Sequence, residues 1–150
     1  MNVRCERLVV LGVTGAAALA ALWLVPSLRA AAEEPWKAPT RAAKKQNPVA
    51  VDEASITAGK ALYAQNCLSC HGKAGKGDGP AAKDLDKSPG DLSKPVMWEQ
   101  TDGALFWKIT SGNTRTGMPT FSGLPELQRW QLVLHLRALG SSHSTPSSRP

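Results

Sequence analysis

The stretch that decides the fold is Cys67-Leu68-Ser69-Cys70-His71, in which two residues separate the two thiols and an imidazole follows directly. This spacing is that of a c-type haem attachment site. Each thiol can form a thioether with a haem vinyl group, and the adjacent imidazole can then bind the iron as its proximal ligand. The motif therefore predicts one covalent haem c, attached through Cys67 and Cys70 and ligated by His71.

Two other kinds of site use a pair of cysteines at this spacing. A thioredoxin-like dithiol is expected within a βαβ pattern, and nothing strand-like leads into Cys67. A structural zinc site needs two further Cys or His ligands at short spacing. The remaining candidates, Cys5, His135 and His143, are all distant in sequence. Haem attachment is therefore the favoured interpretation.

The sixth position of the iron needs a second ligand, for which Met118 is the best candidate. It lies in a predicted loop between two helices, flanked by Gly and Pro, and 47 residues after His71. That separation leaves ample chain to cross to the other haem face, and Met/His ligation is a known cytochrome c arrangement. The alternatives are weaker. Met97 adjoins a tryptophan and suits a core, His135 lies within a predicted helix, and His143 is in the tail.

A ligating histidine donates its other N–H to a nearby acceptor. Pro80 lies nine residues after His71, behind a glycine-rich stretch, and its carbonyl oxygen is one candidate acceptor. The spacing leaves a second interpretation open, in which Pro80 only initiates a short turn over residues 81–85.

The N-terminus has the order of a secretory signal peptide over residues 1–32. Two arginines precede an uncharged apolar run from Leu8 to Val25, and small residues follow with a cleavage point after Ala32. The run is also just long enough for an uncleaved membrane anchor, although Pro26 and the alanines favour cleavage. We expect export to the periplasm, with inner-membrane anchoring as the alternative. Export agrees with haem attachment, because bacteria form these thioethers after translocation.

Composition divides the remaining chain into three parts. Residues 33–51 contain three prolines and a basic cluster, and they predict an extended lead-in. Residues 52–140 form the predicted haem domain, and residues 141–150 are a Ser/Pro-rich tail with the composition of a disordered segment. Without residues 1–32 the chain carries 15 Lys/Arg and 11 Asp/Glu, a formal net charge of +4, which suits acidic partner surfaces and is too small for a nucleic-acid footprint.

Three helices are predicted in the haem domain, and no run alternates convincingly enough for a strand. The first extends from about Asp52 or Ser55 to Gln65 and has apolar residues at helical spacing. The second lies between Thr101 as N-cap and Gly112. The third begins at Pro125, ends before Gly140 and is apolar over most of its circumference. The fold class is therefore all-α.

Residues 52–140 resemble the single-haem class I cytochromes c of bacteria. The resemblance implies a cytochrome c fold of three main helices and loops around one covalent haem. It also implies axial ligation by His71 and Met118 and a hydrogen bond from His71 to the carbonyl of Pro80. The first and last helices would cross at Gly59 and Tyr63. The matching segments are Gly59-Lys60-Ala61-Leu62-Tyr63, Cys67-Leu68-Ser69-Cys70-His71-Gly72, Gly77-Asp78-Gly79-Pro80, Asp102-Gly103-Ala104-Leu105-Phe106, Gly117-Met118-Pro119 and Trp130-Gln131-Leu132-Val133.

One residue departs from the family pattern. His135 stands where the last helix of the family usually carries a tyrosine or another aromatic side chain. The departure bears on how the first and last helices cross, and it leaves the predicted haem ligation unchanged.

These features predict a monomeric one-electron carrier that exchanges electrons with redox proteins and is not itself an enzyme. Lys60, Lys73 and Lys76 would surround an exposed haem edge and speed encounters with acidic partners. Two alternatives stay open. One is a gas sensor or small peroxidase with a vacant or labile sixth position, and the other is an electron-transfer subunit docked to a larger oxidoreductase.

Overall fold

The computed structural model describes residues 36–141, which belong to one compact unit beginning at Trp36. Within this part of the chain the structure is helical, and its one isolated β-bridge pairs Asn113 with Met118. The predicted all-α class is therefore confirmed. The helices are α1 (Thr40–Ala43), α2 (Glu53–Asn66), α3 (Leu68–His71), α4 (Pro95–Trp98), α5 (Asp102–Ser111) and α6 (Glu126–Ser141), with 3₁₀ turns at Ala82–Asp84 and Thr114–Thr116.

Side-chain caps set the start of α2 and of α5, and a glycine ends α5. The Asp52 carboxylate accepts a 2.7 Å hydrogen bond from the backbone N–H of Ser55 at the start of α2, and this interaction lowers the pKa of Asp52. Thr101 caps α5 in the same way through Ala104 N–H, at 3.2 Å. Gly112 ends α5 with a positive φ. The predicted N-cap and C-cap of α5 are thus the observed ones.

The core lies where α2 and α6 cross. Gly59 is buried at the crossing, where a β-carbon would overlap the carbonyl oxygen of Gln131 and lie 3.0 Å from the β-carbon of His135. Glycine therefore permits a close approach that any larger residue would prevent. Around this contact lie the buried side chains Tyr63, Leu92, Leu105, Phe106, Ile109, Trp130, Leu132, Val133 and Leu136.

Arg137 joins the last helix to the segment between α4 and α5. Its Nε donates to the Asp102 carboxylate at 2.8 Å, and its Nη1 donates to the Trp98 carbonyl oxygen at 2.9 Å. Its Nη2 donates to the carbonyl oxygen of Gln100. A guanidinium that is only partly exposed and has three acceptors holds its partners more firmly than an isolated surface ion pair does.

Residues 36–51 of the predicted extended lead-in are packed in the structure. They include α1, and Thr101 Oγ1 donates to the Ala43 carbonyl oxygen at 2.6 Å. The Asn47 amide donates to the Trp130 carbonyl oxygen at 3.3 Å, across 83 residues of sequence. The three prolines of the lead-in predicted an extended chain. In the structure Pro39 is the N-cap of α1 and does not interrupt the helix. The folded unit therefore includes the lead-in from Trp36 onward.

Two predicted segments lie outside the described residues. They are the signal peptide, or uncleaved anchor, at residues 1–32 and the predicted tail at residues 141–150 apart from Ser141, which is the last residue of α6. Within residues 36–141 no helix has the length and apolar character needed to cross a bilayer.

Candidate haem site

The attachment motif folds as one turn of helix. Cys67 precedes α3, and Cys70 and His71 lie in its last positions, so the thiols are separated by about one helical turn. All three side chains are half-buried, and the two cysteines are not joined in a disulfide. Burial, with a smaller contribution from Cys70, raises the pKa of the Cys67 thiol to about 11. Cys67 is therefore expected to be a neutral thiol at pH 7.

The His71 ring is oriented by a backbone carbonyl. Its Nδ1 lies 3.2 Å from the carbonyl oxygen of Gly90. Burial lowers the pKa of His71, although the hydrogen bond to Gly90 opposes this effect. A neutral imidazole that donates through Nδ1–H keeps the lone pair of Nε2 for a metal. The donor set therefore fits the proximal side of a covalent haem.

Gly90, rather than Pro80, supplies the carbonyl that faces His71. The segment of residues 77–81 runs along the carbonyl end of α3, and alternate N–H groups point at successive α3 carbonyls. Pro80 falls between two of these donors and has no N–H to give. The three bonds are Gly77 N–H to His71 O at 2.9 Å, Gly79 N–H to Cys70 O at 3.1 Å and Ala81 N–H to Ser69 O at 2.8 Å.

Gly79 allows the segment of residues 77–81 to lie this close to α3. A β-carbon on Gly79 would overlap the carbonyl oxygen of Ser69, so a glycine is required where the segment meets α3. Residues 77–80 therefore cap the helix that carries the attachment motif. Their Gly-Asp-Gly-Pro sequence thus has a structural role of its own.

The Gly90 carbonyl is held in place by its own turn. Leu92 N–H donates to the Gly75 carbonyl oxygen at 2.6 Å, which fixes this turn against the glycine-rich loop. The Asp91 carboxylate accepts from both the N–H and the hydroxyl of Ser93, at 2.8 and 2.6 Å. Sequence reasoning missed Gly90, and the available signal was the Pro89-Gly90 pair, which marks a turn.

Tyr63 connects the helix crossing to the attachment motif. Its buried hydroxyl donates to the Gly72 carbonyl oxygen at 2.8 Å, directly after His71. Its ring packs on that of His135, with centroids 5.1 Å apart. Burial raises the pKa of Tyr63, so the hydroxyl remains a donor at neutral pH. His135 thus occupies the aromatic position of the crossing.

Replacing Tyr63 with phenylalanine is expected to lower the free energy of unfolding by about 1 to 2 kcal/mol, because the Gly72 carbonyl loses a buried donor. Thr57→Val is the matched control, since it removes an exposed hydroxyl from the same helix and should change stability by less than about 0.5 kcal/mol. Urea unfolding of both holoproteins would measure the difference. Equal midpoints for the two variants would contradict the proposed role of the hydroxyl.

Met118 lies in a closed loop after α5. Asn113 N–H donates to the Met118 carbonyl oxygen at 2.8 Å, and Met118 N–H donates back to Asn113 at 3.1 Å. The Asn113 side chain also accepts from Arg115 N–H at 3.1 Å. A cavity of about 190 Å³ separates residues 114–117 of this loop from residues 84–87. Backbone hydrogen bonds therefore constrain the loop, and they do not involve the half-buried side chain of Met118.

The rival sixth ligands have other contacts. The Met97 sulfur accepts from the Gln100 amide at 3.4 Å, and the side chain packs against the core. His135 packs on Tyr63, and His143 lies outside the described residues. Within residues 36–141 no three His, Cys, Asp or Glu side chains are grouped as a metal site. Met118 stays the predicted axial ligand.

Comparison with known proteins identifies the type of domain. A sequence family described as "Cytochrome C oxidase, cbb3-type, subunit III" matches residues 54–136, which is more than half of the chain. The chain belongs to this family. It is therefore a c-type cytochrome, and its cofactor is haem c. The predicted cytochrome c fold and covalent haem are confirmed.

A solved structure is also similar to this cytochrome. It is the Kuenenia stuttgartiensis reducing HAO-like protein complex Kustc0457/Kustc0458, at 28% identity and a TM-score of 0.54. The match covers 61% of this chain and 46% of that chain, so the cytochrome spans about half the length of this relative. No curated protein matches the chain.

Proposed function

We propose that this cytochrome is a one-electron carrier with His71 and Met118 as the axial ligands of a single haem c. The observation that carries the proposal is the arrangement of α3, which places two thiols and an imidazole oriented by the Gly90 carbonyl within one helical turn. Membership of a c-type cytochrome family supports it. When bound, the haem supplies one-electron oxidation and reduction at its iron.

The protein's own residues have separate tasks in this function. Cys67 and Cys70 would hold the haem covalently, and His71 would offer Nε2 to its iron while the Gly90 carbonyl keeps the imidazole in place. Met118 would supply the second ligand atom, its sulfur, from a loop constrained by backbone hydrogen bonds. A thioether ligand favours the reduced iron, so the midpoint potential is expected to be high for a haem protein. Electron exchange then needs no substrate at the metal, and the domain acts in electron transfer rather than as an enzyme.

Redox proteins are the proposed partners, and the periplasm is the proposed location. The similar solved structure is that of a reducing HAO-like protein complex, and the family description names an oxidase subunit. Both support a cytochrome that works beside other redox proteins. An N-terminal segment with the order of a signal peptide supports export, with an uncleaved segment as an inner-membrane anchor the alternative.

Carbon monoxide tests whether the sixth position is closed. The absorption spectrum of the reduced holoprotein is expected to stay unchanged when carbon monoxide is added, because Met118 occupies the site. A prompt change to a carbon monoxide-bound spectrum would contradict this ligation. It would favour the second candidate function, a gas sensor or peroxidase with an available iron.

A further inference from the structure

The packed lead-in carries a basic face. Between Trp36 and Val51 the chain contains four basic residues and no acidic one. All four side chains are exposed, and none forms an ion pair with a carboxylate in the described part of the chain. Together they form the lead-in basic face, which consists of Lys37, Arg41, Lys44 and Lys45.

A cavity of about 260 Å³ opens beside this face, where α1, α5 and the start of α6 meet. Two cations and two aromatic side chains, Phe106 and Trp107, are among the residues that line it. Lys45 Nζ lies 5.7 Å from the centroid of the Phe106 ring, and the guanidinium carbon of Arg129 lies 4.8 Å from it. Phe106 in turn stacks on the buried Trp130, with centroids 3.9 Å apart, so the ring is held firmly in its position.

The cavity is preorganised for an anion. Arg129 is held by hydrogen bonds from Nε to the Leu124 carbonyl oxygen at 3.0 Å and from Nη1 to Thr110 Oγ1 at 2.6 Å. Glu126 also lines the cavity, and its carboxylate accepts from the Trp130 indole N–H at 3.3 Å. The lining therefore holds two cations against one carboxylate. A guanidinium fixed in place loses little entropy when it binds a carboxylate.

We propose that the lead-in basic face and this cavity form a docking site for an acidic segment of a partner protein, with a partner carboxylate entering between Lys45 and Arg129. Charge complementarity and the aromatic side chains of the cavity favour a carboxylate of a partner protein over a lipid headgroup. An anionic lipid surface would need only the exposed basic side chains and not the cavity. No lining residue belongs to α3 or to the loop of Met118. That the partner is a redox protein rests on the proposed function, whereas the docking site itself does not.

The test uses acetylated, amidated hexaglutamate as the acidic probe and the ¹⁵N-labelled holoprotein. Saturable shifts are expected at the indole N–H signal of Trp107, which lines the cavity, and at that of Trp36, whose ring centroid lies 6.5 Å from that of Trp107. Arg41→Gln/Lys44→Gln/Lys45→Gln should weaken binding about tenfold, since Arg41 and Lys44 each contribute a factor of about two and Lys45, which lines the cavity, contributes more. Lys83→Gln/Lys87→Gln/Lys94→Gln removes the same charge from exposed positions elsewhere and should leave binding within about twofold.

Two single variants separate the cavity from the general charge. Lys44 and Lys45 are adjacent and exposed, but only Lys45 lines the cavity. Lys45→Gln is therefore expected to weaken hexaglutamate binding more than Lys44→Gln. Equal losses in the two single variants, or in the two triple variants, would overturn the proposal in favour of unspecific attraction.

Lipid is tested as the competing partner. Binding to phosphatidylglycerol vesicles without saturable binding of hexaglutamate would overturn the protein-docking proposal in favour of a membrane surface, and absence of both would overturn it outright. The carbon monoxide spectrum of the same samples reports on the proposed function separately. If carbon monoxide binds while hexaglutamate binding is intact, ligation of the iron by Met118 is rejected and the docking proposal stands.

Discussion

Met118→Ala is expected to give a reduced holoprotein that binds carbon monoxide at once, whereas the wild type does not. The backbone bonds between Asn113 and Met118 do not depend on the side chain, so alanine should keep the loop and remove only the thioether. The midpoint potential should fall as well, because a thioether ligand favours the reduced iron. Absorption spectra with and without carbon monoxide, together with a redox titration, measure both effects.

Met97→Ala is the matched control for this variant. The Met97 sulfur accepts from Gln100 and its side chain packs against the core, so its removal should lower stability and leave the carbon monoxide spectrum unchanged. The opposite pattern, an open iron in Met97→Ala and a closed one in Met118→Ala, would exchange the roles of the two methionines.

Features with local causes were predictable from the sequence. α5 begins at a threonine N-cap and ends at a glycine, and both signals lie within the helix or next to it. The attachment motif is equally local, because two thiols and an imidazole within five residues define its chemistry. The helix crossing was predicted from the positions of Gly59 and Tyr63 in a family pattern, and the structure places both at the contact between α2 and α6.

Features with distant partners were not predictable in the same way. The acceptor that faces His71 is 19 residues away, and its position depends on a turn held by Gly75. The lead-in is fixed by a bond from Asn47 to a residue of α6. Proline spacing contains no information about such contacts. Composition therefore predicted an extended segment where tertiary hydrogen bonds stabilise a packed one.

Gly59→Ala is expected to lower the free energy of unfolding by about 2 to 3 kcal/mol, although alanine favours an isolated helix by up to about 1 kcal/mol. The added β-carbon would overlap the Gln131 carbonyl oxygen, and backbone atoms cannot rotate away as a flexible side chain can. α2 and α6 must therefore move apart along the contact that holds the core. Urea unfolding of the holoprotein, followed by far-ultraviolet circular dichroism, measures the loss.

Gly123→Ala provides the matched control, because a β-carbon there meets no atom within 4 Å and the backbone conformation suits alanine. It should be neutral or slightly stabilising. Equal stabilities for the two variants would contradict the close helix approach.

Carbon monoxide binding to Gly59→Ala tests whether the helix crossing also positions the haem ligands. Tyr63 lies one turn after Gly59 and donates to the residue that follows His71. An opened iron in Gly59→Ala would show that the crossing positions the haem ligands, whereas a closed iron with reduced stability would restrict its role to folding.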